Sequence, residues 1–313
     1  MAKLAICFSG QGSQYVGMGL DFIAHDEKSK RLVDLASDYL SENLVVKLND
    51  EVALSQTKFV QPLIVLKSIL GLELLDPKKY KIDGYFGFSL GEFSAYYASG
   101  IFSLNDILSI VKIRGELMQE ASTKYPGSMS AILGLDYETI KDSIESLKTK
   151  GVIEIANENG FKQYVISGES NLVDEANEIL KTKGAKRAVK LNVSGAFHTK
   201  MMQEASQMFL NDIASYERKP LETPMIMNLD AEWLKENDID YHLENQMTSS
   251  VKFIDMVLRL KKDGFTHILE IGPGRVLTGL IKKIDLDMEV QNFDSFEQFE
   301  ETKGWLETHG FNK

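Results

Sequence analysis

The sequence predicts an α/β fold: a large domain on a mainly parallel sheet, with a smaller α/β unit inserted into it. Two observations carry the prediction. Strand, glycine turn and helix follow one another three times, at Lys3–Ser9 before Tyr15–His25, at Tyr80–Phe88 before Leu90–Ser99, and at Phe265–Ile271 before Val276–Ile284. Apolar runs bounded by glycine and followed by helical spacing mark strands joined through helices. After Pro126-Gly127 the order changes to strand Ser128–Gly134, helix Tyr137–Lys150, strands Val152–Ala156 and Gln163–Ser167, helix Leu172–Lys183 and strand Arg187–Val193. This βαββαβ order is what a ferredoxin-like split βαβ unit requires. The expected division is residues 1–126 and 195–313 for the large domain and 127–194 for the small one.

Composition narrows the function. The chain has 313 residues, 43% of them hydrophobic, enough for a sizeable core in one large or two unequal domains. Met1-Ala2-Lys3 runs into an apolar strand too short and wrongly flanked for a signal peptide, and no apolar run reaches membrane-spanning length, so a soluble cytoplasmic protein is expected. Cys7 is the single cysteine, which excludes a disulfide framework and a Cys-based metal site; no metal ligand set is expected. The net charge of -11 argues against general nucleic-acid binding, and an acidic partner would need a local basic patch.

The chemistry centres on Gly87-Phe88-Ser89-Leu90-Gly91-Glu92. Between a strand and a helix, the two glycines remove the Cβ atoms that would clash in a sharp turn, and the turn lifts the serine oxygen above the sheet. There the Leu90 amide points at any oxyanion formed on an acyl group carried by Ser89. The competing reading is a plain tight turn.

Gly10-Gln11-Gly12-Ser13-Gln14 follows the first strand. As a dinucleotide fingerprint it fails, because Tyr15 stands where the third glycine belongs and no acidic residue ends a clear second strand. It reads either as a loop that carries a second oxyanion donor, Gln11, to the same sheet edge, or as a tight turn. A polar helical stretch covers residues 29–56 with a connector near Leu48–Glu51, and Gln61-Pro62 opens the apolar helix Thr57–Leu75, where one reading of Gln61 is as a cap or backbone partner. The helix Leu104–Ala121 begins at a capping-box sequence, Ser103–Asp106, and its stripe of Ile107, Val111 and Met118 includes Arg114. An inward arginine must be paired. Either Arg114 forms an internal ion pair or snorkels on its stem, or its planar fork awaits a carboxylate brought by the substrate.

Five histidines compete for the role of general base. His25 and His309 lie in polar segments expected to be exposed, His242 in an acidic loop region, and His267 at the amino end of its strand, the wrong edge for Ser89. His198, after the strand ending at Val193, is on the right edge. Gly272 and Gly274 precede a helix that an anion could cap, but helix packing needs the same residues and is the favoured reading. The tail from Gln291 is expected to add a short strand and a peripheral helix.

In order and spacing the motifs resemble the malonyl-CoA:acyl carrier protein transacylases of fatty acid synthesis over almost the whole chain. The matching residues are Gly10 to Gln14, Gln61-Pro62, Gly87 to Glu92, Arg114, Asn157 and Asn159 with Gln163 and Val165-Ile166-x-Gly168, Gly195-Ala196-Phe197-His198, and Glu270-x-Gly272-Pro273-Gly274. The resemblance implies an α/β-hydrolase-like large domain with a ferredoxin-like insertion. It implies Ser89 as nucleophile, His198 as base oriented by a main-chain carbonyl at Gln246, the Gln11 and Leu90 amides as oxyanion hole, and Arg114 as clamp on the malonyl carboxylate. Leu90 and Phe197 look like the malonyl-selecting form of the pattern, and Gln61, Asn157, Gln163 and Arg187 match substrate-side positions. Phe88 departs from the histidine usual before the serine, and Phe161 stands where proline is common.

The implied reaction is ping-pong transfer of malonyl from malonyl-CoA, releasing CoA, to the phosphopantetheine thiol of acyl carrier protein, with no cofactor, in a monomer. A serine esterase or thioesterase, a polyketide-type malonyl acyltransferase and a silent acyl-binding scaffold are the alternatives. For the acidic carrier, Lys181, Lys183, Lys186, Arg187 and Lys190 form either a docking patch or a solvated face.

Overall fold

The computed structural model describes residues 2–313. Strand β1 (Leu4–Phe8) is wholly buried and lies at the centre of a parallel sheet. The chain then turns through residues 9–19 into α1 (Leu20–His25), α2 (Glu27–Leu40), α3 (Leu44–Leu48) and α4 (Glu51–Ser55). The helix expected from Tyr15 starts only at Leu20, because Gly17 and Gly19 hold φ at 85° and 78°, in the left-handed region where helix cannot propagate. Next comes α5 (Thr57–Leu75), as the spacing predicted; it is apolar on nearly every side and buried on nearly every side. It packs against α7 (Leu104–Lys124).

Strand β2 (Gly84–Gly87) precedes α6 (Gly91–Ala98), and it is shorter than the expected Tyr80–Phe88 run. The start of that run is partnered elsewhere: Tyr80 bridges Asn312 and the Lys81 amide donates to the Phe311 carbonyl. The polypeptide then builds a second sheet from β3 (Gly127–Leu133), α8 (Tyr137–Glu145), β4 (Ile153–Gly160), β5 (Gln163–Glu169), α9 (Ser170–Thr182) and β6 (Arg187–Lys190). Here β6 stops at Lys190 rather than Val193, and α8 gives way after Glu145 to a 3-10 turn at Leu147–Thr149. All pairings are antiparallel, in the order β4-β5-β3-β6. Amphipathic α8 and α9 cover this sheet through Ile140, Ile144, Leu172, Val173, Ala176 and Leu180.

The chain returns through residues 191–202 to α10 (Gln203–Asp212), α11 (Ile239–Asn245), α12 (Phe253–Lys262), β7 (His267–Ile271), α13 (Val276–Ile284), β8 (Glu289–Phe293) and α14 (Phe299–Thr308). Strands β7 and β8 extend the parallel sheet to the order β2-β1-β7-β8. The carboxyl ends of β1, β2 and β7 therefore open onto one edge, where ligand-binding loops of open α/β sheets gather. The Val251 amide donates to the Ala156 carbonyl and the Glu158 amide to the Val251 carbonyl, so strand β4 is held against this edge.

Candidate active site

The turn after β2 is built by exclusion. A Cβ on Gly87 would lie 2.0 Å from the carbonyl carbon of Gly91, and one on Gly91 would lie 2.0 Å from the Phe8 carbonyl oxygen. With both glycines, α6 closes directly onto β1 and β2, and Ser89 between them takes φ 49°. A non-glycine residue in that region is strained, and the strain is held by its surroundings. Asn228 does the holding: its side chain donates to the Gly87 carbonyl and accepts from the Ser89 amide, both at 2.7 Å. The Asn228 amide in turn donates to Glu92 at 2.7 Å. Glu92 is buried, and desolvation pushes its carboxyl up to about 8 against the opposing effects of the Asn228 hydrogen bond and the Arg114 charge.

Ser89 Oγ lies 2.7 Å from His198 Nε2. His198 also has a left-handed backbone, φ 59°, which turns the ring back toward the serine. Its Nδ1 is 3.1 Å from the Gln246 carbonyl and 3.0 Å from the Ser249 carbonyl. Carbonyls only accept, so Nδ1 carries the hydrogen and Nε2 presents a lone pair to the serine hydroxyl. Burial, and then the charge of Arg114, pushes the imidazole down to about 4. The ring is therefore neutral at physiological pH and ready to take a proton.

Arg114 is 1% exposed. Its Nη1 donates to Gln61 Oε1 at 2.8 Å and its Nη2 to Gln246 Oε1 at 2.6 Å, while Nε is buried without an acceptor. The Phe93 ring lies 5.1 Å from the guanidinium carbon. Desolvation pushes its pKa down to about 9, partly opposed by Glu92, so the group remains a cation at neutral pH. Among the described residues only neutral amide oxygens accept from the fork, leaving a buried positive charge in need of an anion.

These side chains share a cavity of about 220 Å³. Ser89, His198, Arg114, Gln11, Phe197, Asn157 and Gln163 all line it, as does Phe88, whose ring meets Phe253 edge-on. The loop after β1 reaches the turn because a Cβ on Gly10 would lie 2.4 Å from the Phe88 carbonyl oxygen. Leu90, Gln61 and Gln246 are buried behind the wall, and Gln61 bonds Arg114 and Gln11 side chains rather than capping its helix. Arg187 is not brought to the cavity; it is exposed on the edge strand β6. The two glycines before α13 serve packing: Glu270 accepts from the Leu277 and Thr278 amides and Asp294 from the Gly274 amide, so the protein's own carboxylates fill that position. Of the other histidines, His25 is exposed and His309 part-buried, His267 does open its strand, and His242 is a buried residue of α11 rather than part of a loop.

The acyl transferase domain model matches residues 6–292. The malonyl CoA-acyl carrier protein transacylase of Bacillus subtilis strain 168 is 38% identical over 289 residues, 91% of either chain. The chain belongs to the malonyl CoA-acyl carrier protein transacylases. The Staphylococcus aureus enzyme of strain MSSA476 is 36% identical over 98% of this transacylase and 99% of its own length. The Streptococcus pneumoniae structure superimposes with a TM-score of 0.92 at 36% identity, covering 98% of this chain and all of that one. A malonyl-transacylase solved in complex with a type II polyketide acyl carrier protein gives 0.92 at 30% identity, covering 96% of this chain and 98% of that one.

Sequence reasoning missed three groups of this transacylase site. The Asn228 side chain and the Ser249 carbonyl lie in the irregular segments before and after α11, where no periodicity assigns a direction to a side chain. The third is the Gln246 side chain, whose Nε2 donates to the Ser89 carbonyl at 2.7 Å while its Oε1 accepts from Arg114. Glu92 was legible as part of the serine motif, and an acid on the first turn of a helix buried on most sides was the available signal.

Proposed function

We propose that the protein transfers a malonyl group from malonyl-CoA to the phosphopantetheine thiol of acyl carrier protein, by way of a malonyl ester on Ser89, in fatty acid synthesis. The observation that carries this is Arg114: a buried guanidinium without a carboxylate partner, in the same cavity as a serine–histidine pair. The malonyl carboxylate is the missing anion.

The arrangement of side chains supports the following sequence of steps. Arg114 binds the free carboxylate and so places the thioester carbon over Ser89. The Ser89 oxygen attacks that carbon as its proton passes to His198 Nε2. The oxyanion accepts hydrogen bonds from the Gln11 and Leu90 amides. On collapse the carbon–sulfur bond breaks and CoA leaves, taking the proton from His198. The carrier thiol then repeats the sequence, losing its proton to His198 as its sulfur attacks the ester, and Ser89 regains a hydrogen. The two carbonyls behind His198 stabilise the transient imidazolium as a carboxylate would, without a second buried charge. Phe197, on the cavity wall with Leu90 buried behind that wall, restricts the space beside the malonyl methylene, and Asn157 and Gln163 line the route of the pantetheine arm. No cofactor enters this reaction.

The strand orders support an α/β-hydrolase-like large domain, residues 1–126 and 195–313, and a ferredoxin-like small domain, 127–194. No helix among the described residues is long and apolar enough to cross a membrane. A polyketide carrier is the second reading, favoured by the relative solved with such a partner. The test is intact-mass measurement after incubation with malonyl-CoA, with and without carrier. A serine-bound malonyl adduct that carrier removes is expected; free malonate without transfer would indicate an esterase, and no adduct a silent scaffold.

A further inference from the structure

At the amino ends of the parallel strands, across the sheet from Ser89, three side chains meet. His267 opens β7 and Glu289 opens β8, and the register pairs them directly, so they stand side by side on one face. His309, just past the end of α14, completes the group. Its Nε2 lies 3.0 Å from Glu289 Oε2, and His267 Nε2 lies 3.6 Å from the same oxygen. One ligand atom from each residue falls within 4.8 Å of the other two.

The tautomers suit a shared ligand. His309 Nδ1 is 2.8 Å from the Trp305 carbonyl, so it holds the hydrogen and leaves the Nε2 lone pair directed at the cluster. His267 Nδ1 is engaged by Thr266 Oγ1 at 2.8 Å, and its Nε2 is buried with no hydrogen-bond partner. An ion pair between His309 and Glu289 alone would leave that ring nitrogen unsatisfied, which buried polar atoms seldom are.

We propose that His267, Glu289 and His309 form a zinc site that fastens the C-terminal helix to the amino-terminal edge of the parallel sheet. Two imidazole nitrogens and one carboxylate oxygen suit zinc, with water in the fourth position, and do not suit magnesium or calcium, which take oxygen ligands. Tetrahedral bonds of zinc to nitrogen and oxygen place neighbouring ligand atoms about 3.3 Å apart. The observed 3.0 and 3.6 Å bracket that value. The Trp305 and Phe311 rings, 5.5 and 5.1 Å from that of His267, wall the site, while Glu289 faces solvent and gives the ion a way in. The role is structural, since the chemistry is on the other edge.

The test uses the full-length chain stripped of metal by chelator and titrated with zinc sulfate by calorimetry, with cobalt(II) as a visible-absorption probe. One equivalent of zinc is expected, with a melting temperature raised by about 4 °C at a hundredfold excess over Kd. Glu289→Gln and His309→Gln alter partly exposed side chains and should fold and self-acylate normally, yet bind zinc at least tenfold more weakly and lose the low-symmetry cobalt bands. Absence of stoichiometric binding would overturn the proposal. So would unchanged affinity in both variants, which would place the ion on other histidines.

Discussion

Arg114 and His198 are tied through one residue, Gln246, whose side-chain oxygen accepts from the guanidinium at 2.6 Å and whose main-chain carbonyl accepts from the imidazole at 3.1 Å. The same side chain donates to the Ser89 carbonyl at 2.7 Å. A substrate carboxylate that draws the arginine fork toward itself therefore pulls on the element that orients the base. In the proposed reaction this would link selection of the acyl group to alignment of the nucleophile.

Replacing Arg114 with Ala should remove the preference for malonyl over acetyl groups. Losing one partner of a buried charged pair costs about 3–5 kcal/mol, so malonyl-CoA should lose roughly 10²–10⁴-fold in kcat/KM. Acetyl-CoA should gain or hold steady, because it no longer leaves a buried cation unpaired. Competition assays with both thioesters read the ratio directly, and an unchanged ratio would remove the arginine from its assigned role.

The pH profile should report the same electrostatics. In the proposed reaction His198 acts in its neutral form, and its pKa of about 4 keeps it neutral through weakly acidic solution. Acylation by a neutral aryl ester, whose own charge does not titrate, should decline only as pH falls toward 4. In Arg114→Ala the nearby positive charge is gone and water enters, and both effects favour the imidazolium. The acid limb should then move up toward the ordinary histidine range; a limb that stays in place would mean the two groups do not interact.

Glu92 gives a stability prediction with a definite sign. Its carboxyl is raised to about 8 in the fold, against 4.5 ordinarily. Below 4.5 the acid is protonated in both folded and unfolded chains, and its stabilising contribution is fully present. As pH rises to 8 the unfolded chain ionises while the fold resists, so stability falls by an amount on the order of a few kcal/mol. Urea midpoints of the native protein should therefore drop between pH 5 and pH 8 by more than those of Glu92→Gln. Equal drops would show that Glu92 is ionised in the fold.

How much of this was legible in the sequence depends on how local the signal is. Ser89 stood out because two glycines are required by contacts within a few residues of it, and Arg114 because helical spacing alone set it on a buried stripe. The order of the inserted strands was readable for the same reason. The start of α1 was misplaced because left-handed glycines at 17 and 19 break a pattern that hydrophobicity continues. Asn228 and Ser249 were invisible: each acts through a contact made across the fold, from a segment without periodicity. Arg187 was matched to the site by resemblance, yet the edge strand that carries it faces solvent.

The exposed turn that leads into that strand, together with its first residue, is where the carrier prediction now rests. Of the five basic residues, Lys181 pairs with Glu178 at 2.7 Å and Lys190 with Asp174 at 3.0 Å, which cancels much of their field. Lys183, Lys186 and Arg187 form no ion pair among the described residues, so they are the cations that an acidic carrier would meet. Reversing these three to Glu should raise KM for the carrier about tenfold or more, and more steeply at low salt, because screening shortens the reach of surface charge. Self-acylation by malonyl-CoA should be unaffected, since none of the three lines the cavity. Parallel loss of both half-reactions would instead mean that the substitutions disturbed the small sheet, and loss of neither would mean that the carrier docks on another face.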